Sequence, residues 1–226
     1  MTHKAAISWS AGKDSCLAWL RARELGFEVA TFVTMCETDG TSKSHALSPA
    51  LVQAQVAAAG GQWWPVRVPP QRYAECFDTT LDGLRASGHS DVVFGDIDLQ
   101  AHRDWLEPAC ARAGLQAVFP LWGEQRAALA REVIDRGIRA TLVVVDTRWL
   151  DAGFAGAAYD DALLARLPAG VCACGEGGEF HTFVHDAPAF AAALQLRPGT
   201  PQRVASRPPM AATELVLCAP VLACEA

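Results

Sequence analysis

The chain has 226 residues, 51% apolar and 19% charged, with 19 basic against 25 acidic side chains and a net charge of −6. That length suits one α/β domain of ordinary size, or one large domain with a small appendage, and it buries a core without disulfides or metal. The acidic balance excludes the overall basic footprint that grips nucleic acid, and the apolar content without heptad runs excludes disorder and a coiled coil.

Short β-type runs alternate with longer helical ones. In order they are strand 5–9, helix 14–25, strand 28–35, helix 49–59, strand 64–68, helix 73–86, strand 91–96, helix 102–113, strand 116–119, helix 124–136 and strand 138–146. Several strand runs are continuously apolar, as in strands covered on both faces. Gly26, Gly60, Gly88, Gly114 and Gly137 each follow a helical run, where a left-handed cap favours glycine. The alternation predicts a doubly wound α/β core with a mainly parallel sheet over residues 1–146. Residues 147–195 read as a small subdomain: helical and loop-like over 147–170, dense in Gly, Glu and His over 171–185, and helical again over 187–194. Residues 196–226 read as a tail, irregular over 196–212, with a last strand at 214–222 that Pro220 limits to a sheet edge.

No run approaches the roughly 20 apolar residues that span a bilayer. The uncharged stretch between Lys4 and Ser10 is too short for a secretory signal peptide. The eight cysteines follow no disulfide-framework spacing, which predicts small thiols in a reducing cytoplasm. Cys172-Ala173-Cys174 is a close pair, but with no second pair near it the ligand set for zinc is incomplete.

Ligands of doubly wound sheets collect at the carboxyl ends of the strands, and the first strand-to-helix turn is the usual phosphate site. Here that turn is Ser8-Trp9-Ser10-Ala11-Gly12-Lys13-Asp14-Ser15. A helix N-terminus offers unpaired amides and partial positive charge. Gly12 admits an anion to the backbone, Lys13 adds a full charge, Ser10 and Ser15 offer hydroxyls, and Asp14 caps the helix or holds a magnesium ion shared with phosphate. The same residues also suit a plain capped helix behind a solvated turn. Neither the G-x-x-x-x-G-K-[ST] nor the G-x-G-x-x-G pattern occurs here, which disfavours P-loop and dinucleotide chemistry.

The turn resembles the S-G-G-x-D-S pyrophosphate loop of the N-type ATP pyrophosphatases, the adenine nucleotide alpha hydrolase superfamily, with Ala11 in place of the second residue's glycine. A second block, Cys174-Gly175-Glu176-Gly177-Gly178-Glu179-Phe180-His181-Thr182, is similar to the C-G-E-N-G-E-[FY]-H-T segment of the diphthine–ammonia ligase-like branch, with Gly177 where asparagine is usual. Phe94-Gly95-Asp96-Ile97, His102 to Glu107 and Pro120-Leu121-Trp122 add a third likeness. The resemblance covers residues 5–190. It implies a Rossmann-like ATP-binding domain with a small C-terminal substrate-binding subdomain. The implied activity is an ATP-dependent, AMP-forming amide ligase with Mg2+, which adenylates a small-molecule or protein-borne carboxylate and transfers ammonia to it.

On this reading Ser8, Ser10, Ala11, Gly12, Lys13, Asp14, Ser15 and Gly95 hold the nucleotide. Met35, with Cys36, lines the adenine pocket, and His45 lies near the base. Lys13 and Asp14 stabilise the departing pyrophosphate, Asp14 through the metal. In an extended Glu179-Phe180-His181, alternation sends Glu179 and His181 to one face, where they orient or deprotonate ammonia. Gly175, Glu176, Gly178, Asp96 and Arg103 are the further substrate contacts, although Arg103 equally suits a surface role and Asp96 a helix cap. Read without the resemblance, the glycine-rich block is equally a turn with solvated charges. No glutaminase half fits in the chain and residue 2 is Thr, so ammonia is expected as free ammonium or from a partner. An RNA-modifying adenylating enzyme and a non-catalytic ATP sensor are the alternative readings; a homodimer is the default assembly.

Overall fold

The structure, a computed structural model, describes residues 3–43, 45–206 and 212–223. Strands β1 (His3–Ser8), β2 (Phe27–Cys36), β3 (Gln62–Arg67), β4 (Asp91–Val93) and β5 (Gln116–Val118) form one parallel sheet in the order β3-β2-β1-β4-β5. Helices α1 (Lys13–Glu24), α2 (Pro49–Ala58), α3 (Tyr73–Ala86) and α4 (Gln100–Arg112) make the crossovers. β1 is central, and its Ala5, Ala6 and Ile7 are fully buried. Period-two alternation sends Ala5 and Ile7 to the face covered by α1 and α2, and Ala6 to the face covered by α3 and α4. The five glycines that follow the helical runs all have positive φ, between 71° and 89°. At α2, Ser48 caps the helix by accepting from Leu51 N, and Pro49 follows at the first position.

The sixth strand departs from the expected architecture. After α5 (Arg126–Asp135), β6 (Arg139–Asp146) joins a second, antiparallel sheet in the order β7-β6-β10-β9. Its run from Ala140 to Val145 is nearly all buried, and an apolar run reads the same in either sheet. A 3₁₀ turn at Ala152–Phe154 and α6 (Asp161–Arg166) lead to β7 (Phe180–Asp186).

Three further expectations are corrected. Residues 187–194 form turns, not a helix. Their amides bond outward, Ala191 N to Ala58 O and Leu194 N to His185 O, while Phe190 seats against Trp19. The segment 196–212 is not irregular throughout, since it holds β8 (Leu196–Arg197) and β9 (Gln202–Ala205); residues 207–211 lie outside the described ones. The last strand is two pieces, β10 (Glu214–Leu217) and β11 (Val221–Leu222). β10 is interior, between β6 and β9, because the chain leaves the strand before Pro220 and no ladder bond is lost to it. Among the described residues no helix is long and apolar enough to cross a membrane.

Gln55 joins the two sheets. It is fully buried; its Oε1 accepts from Trp9 Nε1 (2.8 Å) and its Nε2 donates to Ala11 O (3.0 Å) and Val184 O (2.5 Å). Leucine there would leave the Trp9 N–H and the Val184 carbonyl buried without partners. Gln55→Leu is expected to lower unfolding stability by about 2–4 kcal/mol, measured by urea titration.

Candidate active site

The site is built on the turn between β1 and α1. Ala11 has φ +68°, the left-handed region that suits glycine, and is fully buried. Its carbonyl accepts from Val184 N at 3.0 Å as well as from Gln55, so tertiary bonds hold a conformation that costs about 1 kcal/mol for alanine. At Gly12 a Cβ would stand 2.6 Å from His45 Cε1, so only glycine fits without displacement. The Gly12 amide donates to Ser10 Oγ (3.2 Å) and the Lys13 amide to Thr182 Oγ1 (3.1 Å). Ser15 Oγ donates to Gly12 O at 3.0 Å and lies 3.1 Å from Ser10 Oγ. Among the described residues the amides of Asp14 and Ser15 have no acceptor, which leaves two donors at the positive end of α1. Gly95 abuts that first turn: a Cβ there would lie 3.0 Å from Ser15 N. This is the crevice between β1 and β4, where the strand order reverses and open α/β sheets bind ligands.

Lys13 is 2% exposed, and its ammonium is fully engaged. Nζ donates to both Asp14 oxygens (2.7 and 2.9 Å) and to Cys174 O (2.5 Å), and it stands 5.5 Å from the Tyr159 ring centre and 5.8 Å from that of Phe180. Burial opposes the charge most strongly, but Asp14, Tyr159 and Cys174 together outweigh it and raise the Lys13 pKa above its ordinary value. Asp14, 26% exposed, faces a cavity of about 200 Å³ whose wall also includes His45, Glu176, Phe180, His181 and Thr182.

Three titratable groups in that wall are shifted. Burial, reinforced by the neighbouring Asp14 charge, raises Glu176 to about 7. Burial and the Lys13 charge lower His181 to about 4, so its imidazole is neutral. His45 stacks on His181 with ring centres 4.8 Å apart, and its Nδ1 donates to Thr182 O at 2.7 Å. Burial first, then His181, hold its pKa well below the usual value. The cavity therefore offers a carboxyl poised near neutrality beside two uncharged imidazoles.

Glu179 is placed differently from the expectation. It precedes β7, is 5% exposed, and accepts from Cys172 N (3.0 Å) and Gly177 N (2.8 Å), which fastens the glycine loop instead of lining the cavity. Glu179 lies before β7 rather than within it, so strand alternation does not place it beside His181, and the amides of Cys172 and Gly177 hold its carboxylate instead. Phe180 and His181 both line the cavity. Gly177 packs on the Glu179 carboxylate, where a Cβ would lie 2.9 Å from Oε1, so a larger residue would have to push it aside. Gly175 has φ +72° and meets Phe180 O, and Gly178 has φ +81°.

Other expected residues lie apart from the cavity wall. Met35 packs with the α3–α4 side of the parallel sheet, and Ser8 ends β1, half-buried. Arg103 lies over Trp122 (4.8 Å) and Phe119 (5.3 Å) and pairs with Glu107 at 2.6 Å. Asp96 lies 2.8 Å from His102 Nδ1. His45, by contrast, is in the wall, against Gly12 and His181 at the turn. Sequence reasoning missed Thr182, Gln55, Tyr159 and the Cys174 carbonyl. Of these, Thr182 and Cys174, both inside the second block, carried a signal.

Residues 3–117 match the family model described as the diphthamide synthase N-terminal domain, and residues 125–203 the one described as the diphthamide synthase C-terminal domain. The chain is 27% identical over 218 residues to a diphthine–ammonia ligase of Schizosaccharomyces pombe, covering 80% of this chain and 34% of that one. It is 38% identical over 116 residues to that of Danio rerio (49% and 46% of the two chains) and 25% identical over 214 residues to that of Rattus norvegicus (83% and 80%). The chain thus spans less than half the length of the first two relatives. Gly12→Ala is expected to lower unfolding stability by about 1–3 kcal/mol in a urea titration, and adding His45→Ala, which removes the nearest atom, to recover part of the loss.

Proposed function

The chain belongs to the diphthamide synthase family, and on that premise we propose that it is an ATP-dependent, AMP-forming amide ligase working at the Lys13 cavity. One observation carries the reading: the positive end of α1, with Lys13 and Asp14, meets Glu176 and His181 in a single cavity. A space of about 200 Å³ is too small for a whole nucleotide and suits the reacting ends, an α-phosphate and an incoming carboxylate.

A carboxylate is a poor acyl donor because its leaving group would be oxide. Its attack on the α-phosphorus of ATP gives an acyl-adenylate and pyrophosphate; ammonia then displaces AMP and leaves the amide. The free amides of Asp14 and Ser15, the Ser10 and Ser15 hydroxyls and the charged Lys13 would hold the triphosphate and the charge that develops as pyrophosphate departs. Glu176 and the neutral imidazoles of His45 and His181 would take the proton that ammonia loses on attack. Magnesium, which binds phosphate oxygens plus one or two carboxylates, fits Asp14 as its protein ligand and would neutralise charge on the leaving group. The relatives are named for diphthine, and a diphthine-type carboxylate is the substrate class proposed here. The free thiols of the described cysteines agree with a cytoplasmic setting.

With such a carboxylate and ammonium, the products should be AMP and pyrophosphate in equal amounts, read by chromatography; ADP would refute the mechanism. The rate of the wild-type protein should rise through about pH 7 as Glu176 ionises. Glu176→Gln should remove that rise and lower the rate about 10²-fold or more, measured as a pH–rate profile.

A further inference from the structure

Cys172 and Cys174 flank one arginine that treats them oppositely. Arg126 Nη1 donates to Cys172 Sγ at 3.7 Å, while the Arg126 carbonyl accepts the Cys174 S–H at 3.0 Å. The guanidinium is itself fixed by a two-pronged ion pair with Asp98, at 2.7 and 2.6 Å. The Cys172 sulfur is half-buried rather than sealed. Anionic sulfur is thus favoured at 172 and the protonated thiol at 174.

We propose that Cys172 is an oxidant-sensitive thiolate, that Cys174 is its resolving thiol, and that hydroperoxides close a Cys172–Cys174 disulfide beside the cavity. The thiolate attacks the terminal oxygen of the peroxide, breaking the O–O bond to give Cys172–SOH and hydroxide, or an alkoxide from an organic hydroperoxide. The Cys174 thiol then displaces that oxygen, forming the S–S bond and releasing water, so two electrons pass from the two sulfurs to the peroxide. The neighbouring Cys174 side chain, resisted by burial and helped by the Glu176 and Cys174 backbone and by Arg126, lowers Cys172 to about 5. The groups around it are Arg126 with Asp98, Tyr159, Cys174, and the neighbouring Glu176 and Glu179, of which Glu179 accepts from the Cys172 amide. The bridge has a consequence next door, because the Cys174 carbonyl holds Lys13 Nζ at 2.5 Å and a ring closed through that residue turns the carbonyl away. This consequence rests on the role proposed for Lys13; labelling and bridge formation do not.

The test uses the full chain. Iodoacetamide labelling followed by peptide mass mapping should show Cys172 reacting at pH 6 within about twofold of its rate at pH 8, whereas an ordinary thiol slows about 100-fold over that range. Arg126→Gln should steepen that pH dependence. Hydrogen peroxide should produce a loss of about 2 Da on the peptide carrying both cysteines, reversed by dithiothreitol and absent in Cys172→Ser. In Cys174→Ser, dimedone should trap a sulfenic acid on Cys172. A Cys172 rate that follows the ordinary thiol, or a disulfide that joins other cysteines, overturns the proposal. ATP–pyrophosphate exchange should be lost with the bridge and return on reduction; exchange that persists in the bridged protein overturns the link to Lys13 alone.

Discussion

The architecture depends on how the outer edge of one strand is satisfied. β7 ends its sheet on one side, and an edge strand carries backbone groups that need partners. Here the partner is the turn after β1: Val184 N bonds to Ala11 O, Thr182 Oγ1 accepts from Lys13 N, Thr182 O accepts from His45, and Gln55 bonds to the carbonyls of both Ala11 and Val184. The phosphate-type turn of the parallel sheet thereby serves as a cross-strand neighbour for the antiparallel one. The left-handed Ala11 follows from the same arrangement, since that conformation directs its carbonyl at two donors.

Docking one sheet on the other also sets the electrostatics. Lys13 is buried only because β7 and the glycine loop close over it, and it keeps its charge because Asp14 lies beside it. That buried charge helps hold His181 neutral, while Asp14 helps keep Glu176 protonated to higher pH. An acid–base set with its members pushed apart in this way comes from mutual placement, with no unusual residue type.

The parts legible in the sequence were those with local causes. The five left-handed glycines, the parallel strands and the turn before α1 each carry a pattern contained in a dozen residues. Tertiary causes were not legible. β6 is apolar on both sides for a reason that only its neighbours supply, and residues 187–194 give up a helix because Phe190 and the Ala191 amide find partners elsewhere. At the site, alternation placed Glu179 in the cavity; the strand begins only at Phe180, the loop amides take the Glu179 carboxylate, and Glu176 is left as the carboxyl in the wall. Arg103 sits in a recognisable motif, yet the aromatic faces of Phe119 and Trp122 retain it.

The interior position of β10 bears on how the chain emerges from the ribosome. The five-stranded sheet has all its members once residue 118 is made, and a nascent chain folds its earlier portion first. β6 follows soon after, but the neighbour on its second side is drawn from residues 214–217. Residues 156–159 meet Ala140 and Leu142 on that side, but through the interval the row over Val144–Asp146 stays open to water or to a foreign strand. The growing polypeptide is therefore most exposed to mispairing at a moment when its first half is already folded.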